Sequence, residues 1–360
     1  MTSSLPAPID PLVGLDLGEG WTITAALPRP IGATGGNFSL GYLAGNIDGR
    51  NGFAKVINYG GIFRSPDPTR FMQEITEAYN FERELVQKCT SRRLSRVVEA
   101  YHHNSLSAPP TQHFPVSFII FERADGDIRG LLDDVADLEL AVRLRMVHNA
   151  ASGIAQLHSI QVAHQDIKPS NLLVFNPLLD GGRAAKIGDL GRATDQQRAA
   201  VHDGYDIAGD PSYAPPEQCF GEIPASFEQR RLACDIYQLG SLLTFVLSDV
   251  TMNALLHTFL DPTHSPRNWH GSYMDALPYV QAAHATALDE LGKSFRYSVT
   301  DDMKDELIKL ISCLTDPDLE QRGHGASRKA NQPYALNRIV SQLDLLAHKA
   351  EVLYAGGAAA

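Results

Sequence analysis

Residues 162–175 read VAHQDIKPSNLLVF. His164 is followed two residues later by Asp166, Lys168 comes two after that and Asn171 three further on, and the chain then enters an apolar, strand-like stretch. A carboxylate, an ammonium group and an amide set so close together are too polar for a core segment and too ordered in type for an arbitrary loop. The chemistry they offer is the handling of charge. The competing structural reading is a polar capped turn between helix and strand, in which Asp166, Ser170 and Asn171 satisfy backbone groups and nothing more.

Composition bounds what that chemistry serves. A chain of 360 residues, 44% of them hydrophobic, can build one large or two medium domains with real cores. A net charge of −11 argues against a protein that holds nucleic-acid phosphates, which needs a basic footprint, and the cluster Arg92, Arg93 and Arg96 reads as a solvated helix face. No nucleic-acid partner is expected. Cys89, Cys219, Cys234 and Cys313 are widely spaced and form no C-x-x-C pair, which suits reduced thiols in a cytoplasmic protein. Histidines are scattered, and even His102–His103 lacks other ligand types at metal spacing. The N-terminal MTSSLPAPIDPLVGLDLG has no basic start followed by an apolar core and is not read as a signal peptide. The longest apolar run, Leu239 to Leu247, falls well short of the roughly 20 residues that span a bilayer, so it is read as a buried helix and no membrane contact is expected.

The elements that must position the 162–175 stretch fall into two unequal halves joined near residue 122. Residues 21–57 hold short β-type runs (WTITAAL, FSLGYLA, GFAKVINY) broken by Gly and Asn, residues 69–100 switch to helical spacing, and VSFIIFE at 116–122 is a compact apolar strand. The second half is mostly helical. LELAVRLRMVHNAASGIAQLH carries apolar residues at spacings of three and four and ends beside the polar stretch; LLVF and AAKIGDLG follow as short strands around a Gly-Gly turn. A last amphipathic pattern runs through Leu336, Ile339, Val340, Leu343, Leu346, Ala350 and Leu353, before an AGGAAA end expected to be disordered.

Further motifs stand downstream in a set order: Asp189-Leu190-Gly191, then Tyr213-Ala214-Pro215-Pro216-Glu217, then Asp235 in CDIYQLGSLL, then Arg322 in CLTDPDLEQRGHG. Together with His164-Gln165-Asp166 the chain resembles a eukaryotic-like (Hanks-type) serine/threonine protein kinase over roughly residues 20–325, and the order of the motifs is a stronger signal than any one of them. The resemblance implies an α+β, bilobal fold: an extension over 1–20, a β-rich N-lobe with one main helix over 21–121, a larger, mostly helical C-lobe over 122–325, a helical extension over 326–355 and a disordered tail over 356–360.

It also implies roles. His164-Gln165-Asp166 resembles the catalytic-loop H-R-D, and a lysine two after the aspartate is the serine/threonine form of that loop. Phosphoryl transfer from ATP needs a carboxylate to accept the acceptor hydroxyl's proton, which falls to Asp166, and a cation against the charge on the transferring group, which falls to Lys168. The amide oxygen of Asn171 and the carboxylate of Asp189, in the place of D-F-G, are the hard oxygens that Mg2+ prefers. Glu217, resembling the glutamate of A-P-E, is expected to pair with Arg322 and hold the segment to the C-lobe.

In the first half Lys55 sits where the family offers its phosphate-binding lysine, with Phe53 where alanine is usual. Its partner must come from YNFERELVQKC. Glu82 has Leu85, Val86 and Cys89 at plus three, four and seven and so lies on a buried edge, whereas Glu84 has Lys88 at plus four; Glu82 is the first choice and Glu84 the second. The glycine loop, Gly32 to Ser39, departs from G-x-G-x-x-G-x-V, and Gly35 and Gly36 are its expected phosphate contacts. FIIFERADGDIRGLL resembles the hinge, with Phe121 as gatekeeper, Glu122 and Ala124 offering backbone groups to adenine, and Asp127 near the ribose.

Three functions stand open at this point. One is an ATP- and magnesium-dependent kinase acting on serine and threonine hydroxyls of a protein substrate. A second is a pseudokinase serving as an interaction module, suggested by the irregular glycine loop and Phe53. The third is a small-molecule kinase of the aminoglycoside phosphotransferase type, against which the long segment from Asp189 to Glu217 and Arg322 speak. Gln165 stands where many kinases have the arginine that grips a phosphorylated activation segment, and Asp210 where a threonine is frequent, so activity without segment phosphorylation is expected, with Asp210 pairing Lys168. The 326–355 stripe must be buried on the C-lobe or on a partner, because an isolated helix of that length is marginal in water.

Overall fold

The computed structural model describes residues 11–28, 39–109, 113–135, 138–175 and 185–357. Its contacts divide the chain into two compact units, Met1–Arg93 with Val98–Ala124, and Leu94–Val97 with Asp125–Ala360.

Short apolar runs with turn residues between them become hairpins in the first unit. Strands β1 (Asp16–Gly18), β2 (Trp21–Ala26), β3 (Ser39–Asn46) and β4 (Asn51–Ile57) precede helix α1 (Pro68–Ser91), and β5 (Ala100–Leu106) and β6 (Val116–Glu122) follow it. They form one antiparallel sheet in the order β1-β2-β3-β4-β6-β5. Period-two alternation aims Leu17, Trp21, Ile23, Tyr42, Val56 and Phe118 into one core. On β4 this buries Ala54 and Val56 and turns Phe53 and Lys55 to the other face. The Phe53 ring is accommodated by Gly41 on β3, where a Cβ would stand 2.9 Å from it.

Helix α1 starts on Asp67, whose side chain accepts the Arg70 N–H, with Pro68 at the first position where its missing N–H costs nothing. Its buried face is Ile75, Tyr79, Glu82, Leu85, Val86 and Cys89. The helix ends at Ser91 and does not continue to residue 100. AYHHNSL at 100–106 is instead an edge strand whose residues are only partly buried or exposed, which is why it lacks an apolar signature. The sheet also begins earlier than expected: β1 lies within residues 1–20, so part of that stretch belongs to the sheet.

The second unit is mostly helical. It runs through β7 (Gly126–Asp127), α2 (Ile128–Asp134), α3 (Leu140–Ser159), β8 (Val162–Ala163), β9 (Leu172–Val174), β10 (Ala185–Ile187), β11 (Thr194–Asp195), α4 (Pro216–Cys219), α5 (Ala233–Ser248), α6 (Met252–Phe259), α7 (Tyr273–Lys293), α8 (Asp301–Leu314), α9 (Gly325–Lys329) and α10 (Asn337–Gly357). The run Leu239 to Leu247 lies in α5, which is buried on almost every side and is preceded by a π-helical turn, Glu228–Leu232. Among the described residues no single helix is long and apolar enough to cross a membrane.

Helix α10 packs along α3, the helix that leads into the 162–175 stretch. Ile339, Leu343, Leu346 and Ala347 are fully buried. Arg145 on α3 bonds Glu351 at 2.8 Å and also Asp344, while Lys349 pairs with Glu306 of α8 at 2.7 Å. The apolar stripe of 326–355 is therefore covered within the chain as far as Ala350, while Leu353 at its end is 39% exposed. The helix runs to Gly357, beyond the expected end at 355, and residues 358–360 lie outside the described ones.

Candidate active site

The charge-handling stretch rests on α5. Asp235, fully buried, accepts the N–H of His164 at 2.7 Å, the N–H of Gln165 at 2.8 Å and the Gln165 side-chain amide at 3.1 Å, and His158 Nε2 lies 2.9 Å from its Oδ2. Three residues on, Gln238 accepts the Ile167 N–H at 2.8 Å and donates to the Gln165 carbonyl at 2.9 Å. Residues at i and i+3 share a helix face, so one strip of α5 holds three loop residues, 164, 165 and 167, on either side of Asp166. Gln165 takes a left-handed backbone, φ 66°, and these bonds offset its strain. His164 Nε2 lies 2.9 Å from the Gly188 carbonyl, just before Asp189.

Asp166 is the hub. Its Oδ1 accepts the Asp210 N–H at 2.8 Å, and its Oδ2 faces Lys168 Nζ at 3.0 Å and the Asn171 amide at 3.0 Å. The Asn171 nitrogen also donates to the Asp166 carbonyl at 2.8 Å, so with that nitrogen committed, the Asn171 amide has its oxygen to give elsewhere. Lys168 stands 3.6 Å from Asp210 Oδ2, between two carboxylates. Their environments part them: burial pushes the Asp166 carboxyl above its ordinary value despite Lys168, whereas Asp210, also pushed up by burial, is held below its ordinary value by the Ser212 hydrogen bonds and the Lys168 charge. Gly209 makes the approach possible, since a Cβ there would stand 2.2 Å from the Gln165 carbonyl oxygen and 2.8 Å from Asp166 Oδ1.

Asp189 adopts a left-handed backbone, φ 55°, with its carboxylate accepting the Gly191 N–H at 3.4 Å, while Leu190 is 3% exposed beneath. Among the described residues no cluster of three His, Cys, Asp or Glu gathers as a metal site. Magnesium does not require one: it keeps waters and phosphate oxygens and takes one or two protein oxygens. The exposed Asp189 carboxylate and the Asn171 amide oxygen are donors of that kind.

Within the first unit, Lys55 Nζ meets Glu82 Oε1 at 2.7 Å and Oε2 at 3.0 Å. Glu84 is exposed and lies 3.5 Å from Arg83. Glu122 donates its N–H to the Glu99 carbonyl at 2.9 Å, and Ala124 closes this unit at its C-terminal end. In the second unit Asp127 caps α2, its Oδ1 accepting the Gly130 N–H at 2.9 Å. Gly35 and Gly36 lie outside the described residues.

Glu217 and Arg322 form a two-bonded pair in the second unit, and Arg322 also donates to the carbonyls of Asp316 and Ala233. Further residues of this network escaped the sequence reading, Arg231, Asp203, Gln238 and His158 among them. Arg231, 4% exposed, donates to Gln165 Oε1 at 3.1 Å and to Asp203 Oδ1 at 3.1 Å. Its place is set by the π-helical turn Glu228–Leu232, so the spacing of a regular helix carries no signal for it.

The fold and this constellation define a class, and the family model for the protein kinase domain matches residues 67–335. The chain belongs to the protein kinase domain family. Among individual relatives, serine/threonine-protein kinase DCLK1 of Rattus norvegicus is 45% identical over 74 residues, 20% of this chain and 16% of the relative. Serine/threonine-protein kinase PknB of Mycolicibacterium smegmatis is 24% identical over 207 residues, 56% of this chain and 31% of that one. Dual specificity protein kinase shkA of Dictyostelium discoideum is 36% identical over 117 residues, 31% of this chain and 20% of that one. The matched stretches thus span less than a third of each relative's own length.

Proposed function

We propose that the chain transfers the γ-phosphoryl group of ATP, with magnesium, to serine or threonine hydroxyls of a protein. The observation that carries the reading is the setting of Asp166: a buried carboxylate held by the Asn171 amide and the Asp210 N–H, with Lys168 at 3.0 Å. Asp166 accepts the hydroxyl proton as the new oxygen–phosphorus bond forms and the bond to the departing ADP breaks. Lys168 sets a positive charge beside the transferring group, and Lys55, held by Glu82, holds phosphate oxygens. Asn171 and Asp189 would hold magnesium, which when bound neutralises phosphate charge. Lysine two residues after the aspartate favours serine and threonine, and the four cysteines, none of them in a disulfide, suit the reducing cytoplasm.

A pseudokinase would draw support from Phe53 on the Lys55 face of β4. The ion pair of Lys55 with Glu82 and the Asp166–Lys168–Asn171 grouping favour the active reading. The deciding experiment incubates the full chain with magnesium and γ-phosphate-labelled ATP, alone and with cell lysate, and maps the labelled sites. Transfer that depends on Asp166 supports the proposal, and no transfer to any protein sinks it.

A further inference from the structure

The segment whose Asp210 N–H bonds to Asp166 is held at a second point, and no phosphate takes part. Asp203, in the short turn Val201–Gly204, is gripped by two consecutive arginines of the π-helical turn before α5. Its carbonyl accepts from Arg230 at 2.6 Å and from Arg231 at 3.0 Å, its Oδ1 accepts from Arg231 at 3.1 Å, and its Oδ2 accepts the Ala200 N–H at 2.6 Å. The other terminal nitrogen of Arg231 donates to Gln165 Oε1 at 3.1 Å, and the Gln165 amide nitrogen returns a bond to the Arg231 carbonyl at 2.8 Å. One planar guanidinium thus ties the segment to the loop that carries Asp166.

Gln165 suits this arrangement because its side chain is neutral and two-sided. Its oxygen accepts from Arg231 while its nitrogen donates to the Arg231 carbonyl and to Asp235; a cation at 165 would face the buried Arg231 charge at close range. A buried guanidinium also needs an anion beside it, so a detached segment would leave Arg231 short of one.

We propose that Arg231 is a positioning residue for phosphoryl transfer: acting through Asp203 and Gln165, it fixes residues 196–210 against the catalytic loop without any phosphate on the segment. The inference rests on the kinase reading of Asp166. It places the joint on Arg231 and Asp203, with the Lys168–Asp210 approach of 3.6 Å as the companion contact nearer the reacting atoms.

The test uses phosphatase-treated full-length chain as wild type, Asp203→Asn, Asp203→Glu, Arg231→Lys and, as a control at an exposed acid three residues on, Asp206→Asn. Initial rates on a serine/threonine peptide library are read beside hydrogen exchange over 196–208, melting temperature and Mg·ADP affinity. In Asp203→Asn, kcat falls about tenfold, the worth of one charge-assisted contact, and exchange over 196–208 quickens about tenfold, while melting temperature and nucleotide affinity hold. Arg231→Lys shows the same direction, because a point charge cannot bridge three acceptors in one plane. Asp203→Glu recovers most of the rate, and Asp206→Asn matches wild type. Active wild type with unaltered Asp203→Asn kinetics or exchange overturns this inference alone. Wild type that phosphorylates nothing overturns the kinase reading on which it rests.

Discussion

Arg322 and Glu217, 105 residues apart, meet through two hydrogen bonds of 2.7 Å, with the arginine side chain 0% and the glutamate side chain 2% exposed. Removing one partner of such a pair leaves the other charge buried and unmatched. Glu217→Ala is expected to cost about 3–5 kcal/mol of unfolding free energy in urea titration. The double variant Glu217→Leu with Arg322→Met should cost less than Glu217→Ala alone, because no orphan charge remains. A loss under about 1 kcal/mol for the single variant would refute the assignment.

Asp166 and Asp189 should fail in different ways. Asp166→Asn keeps the side chain's size and an acceptor for the Asp210 N–H but removes the base, so nucleotide affinity stays while kcat falls roughly 10²–10⁴-fold. Asp189→Asn removes a candidate metal ligand, so Mg·ATP affinity and kcat both fall. Calorimetric nucleotide titration beside initial rates separates the two, and full activity in either variant contradicts its role.

The acid limb of the pH–rate profile carries its own sign. Asp166 must be ionised to accept a proton, and burial pushes its carboxyl up while Lys168 pulls it down. The limb is therefore displaced upward from the ordinary aspartate value, and Lys168→Met should move it to still higher pH along with lowering the rate. A limb that stays put or moves down in Lys168→Met means that another group titrates.

His284, 6% exposed and 2.8 Å from Thr315 Oγ1, affects stability and not chemistry. Burial pushes its imidazole from an ordinary 6.5 down to about 4. The unfolded chain then binds the extra proton across that window, so the contribution is intact above pH 6.5 and is lost as pH falls toward 4, by about 3 kcal/mol. In His284→Gln the fall in unfolding free energy between pH 7 and pH 4 should shrink by about that amount. Equal falls in both proteins would show that His284 is not responsible.

Helix α10 should behave as part of the second unit's core. Leu343→Ala, at a fully buried position, is expected to cost about 2–5 kcal/mol, and truncation after Gly325 should lower the melting temperature. An unchanged melting curve after truncation would mean that α10 is held elsewhere.

Much of this site was legible because helical spacing and short loops are local properties. Glu82 separates from Glu84 by the apolar residues at plus three, four and seven, and the bond to Lys55 lies on that buried edge. The stripe of α10 was likewise legible, but its cover on α3 was not, since Arg145 and Glu351 are 206 residues apart. The Arg231–Asp203 contact depends on a π-helical turn that rotates the arginine relative to a regular helix, and no spacing rule reports that. Strands β1 and β5 were missed for different reasons: the first is only three residues long, and the second is an edge strand with little apolar alternation.

Asp235 grips the catalytic loop mainly by its main chain, through the N–H groups of His164 and Gln165. Every residue except proline carries that N–H, so these two bonds do not depend on the side chain at position 165, whereas the bonds of the Gln165 amide to Arg231 do. Position 165 thus carries two separable loads, a main-chain one that shapes the turn before Asp166 and a side-chain one that joins it to Arg231. A substitution there can loosen the second load and leave the first intact.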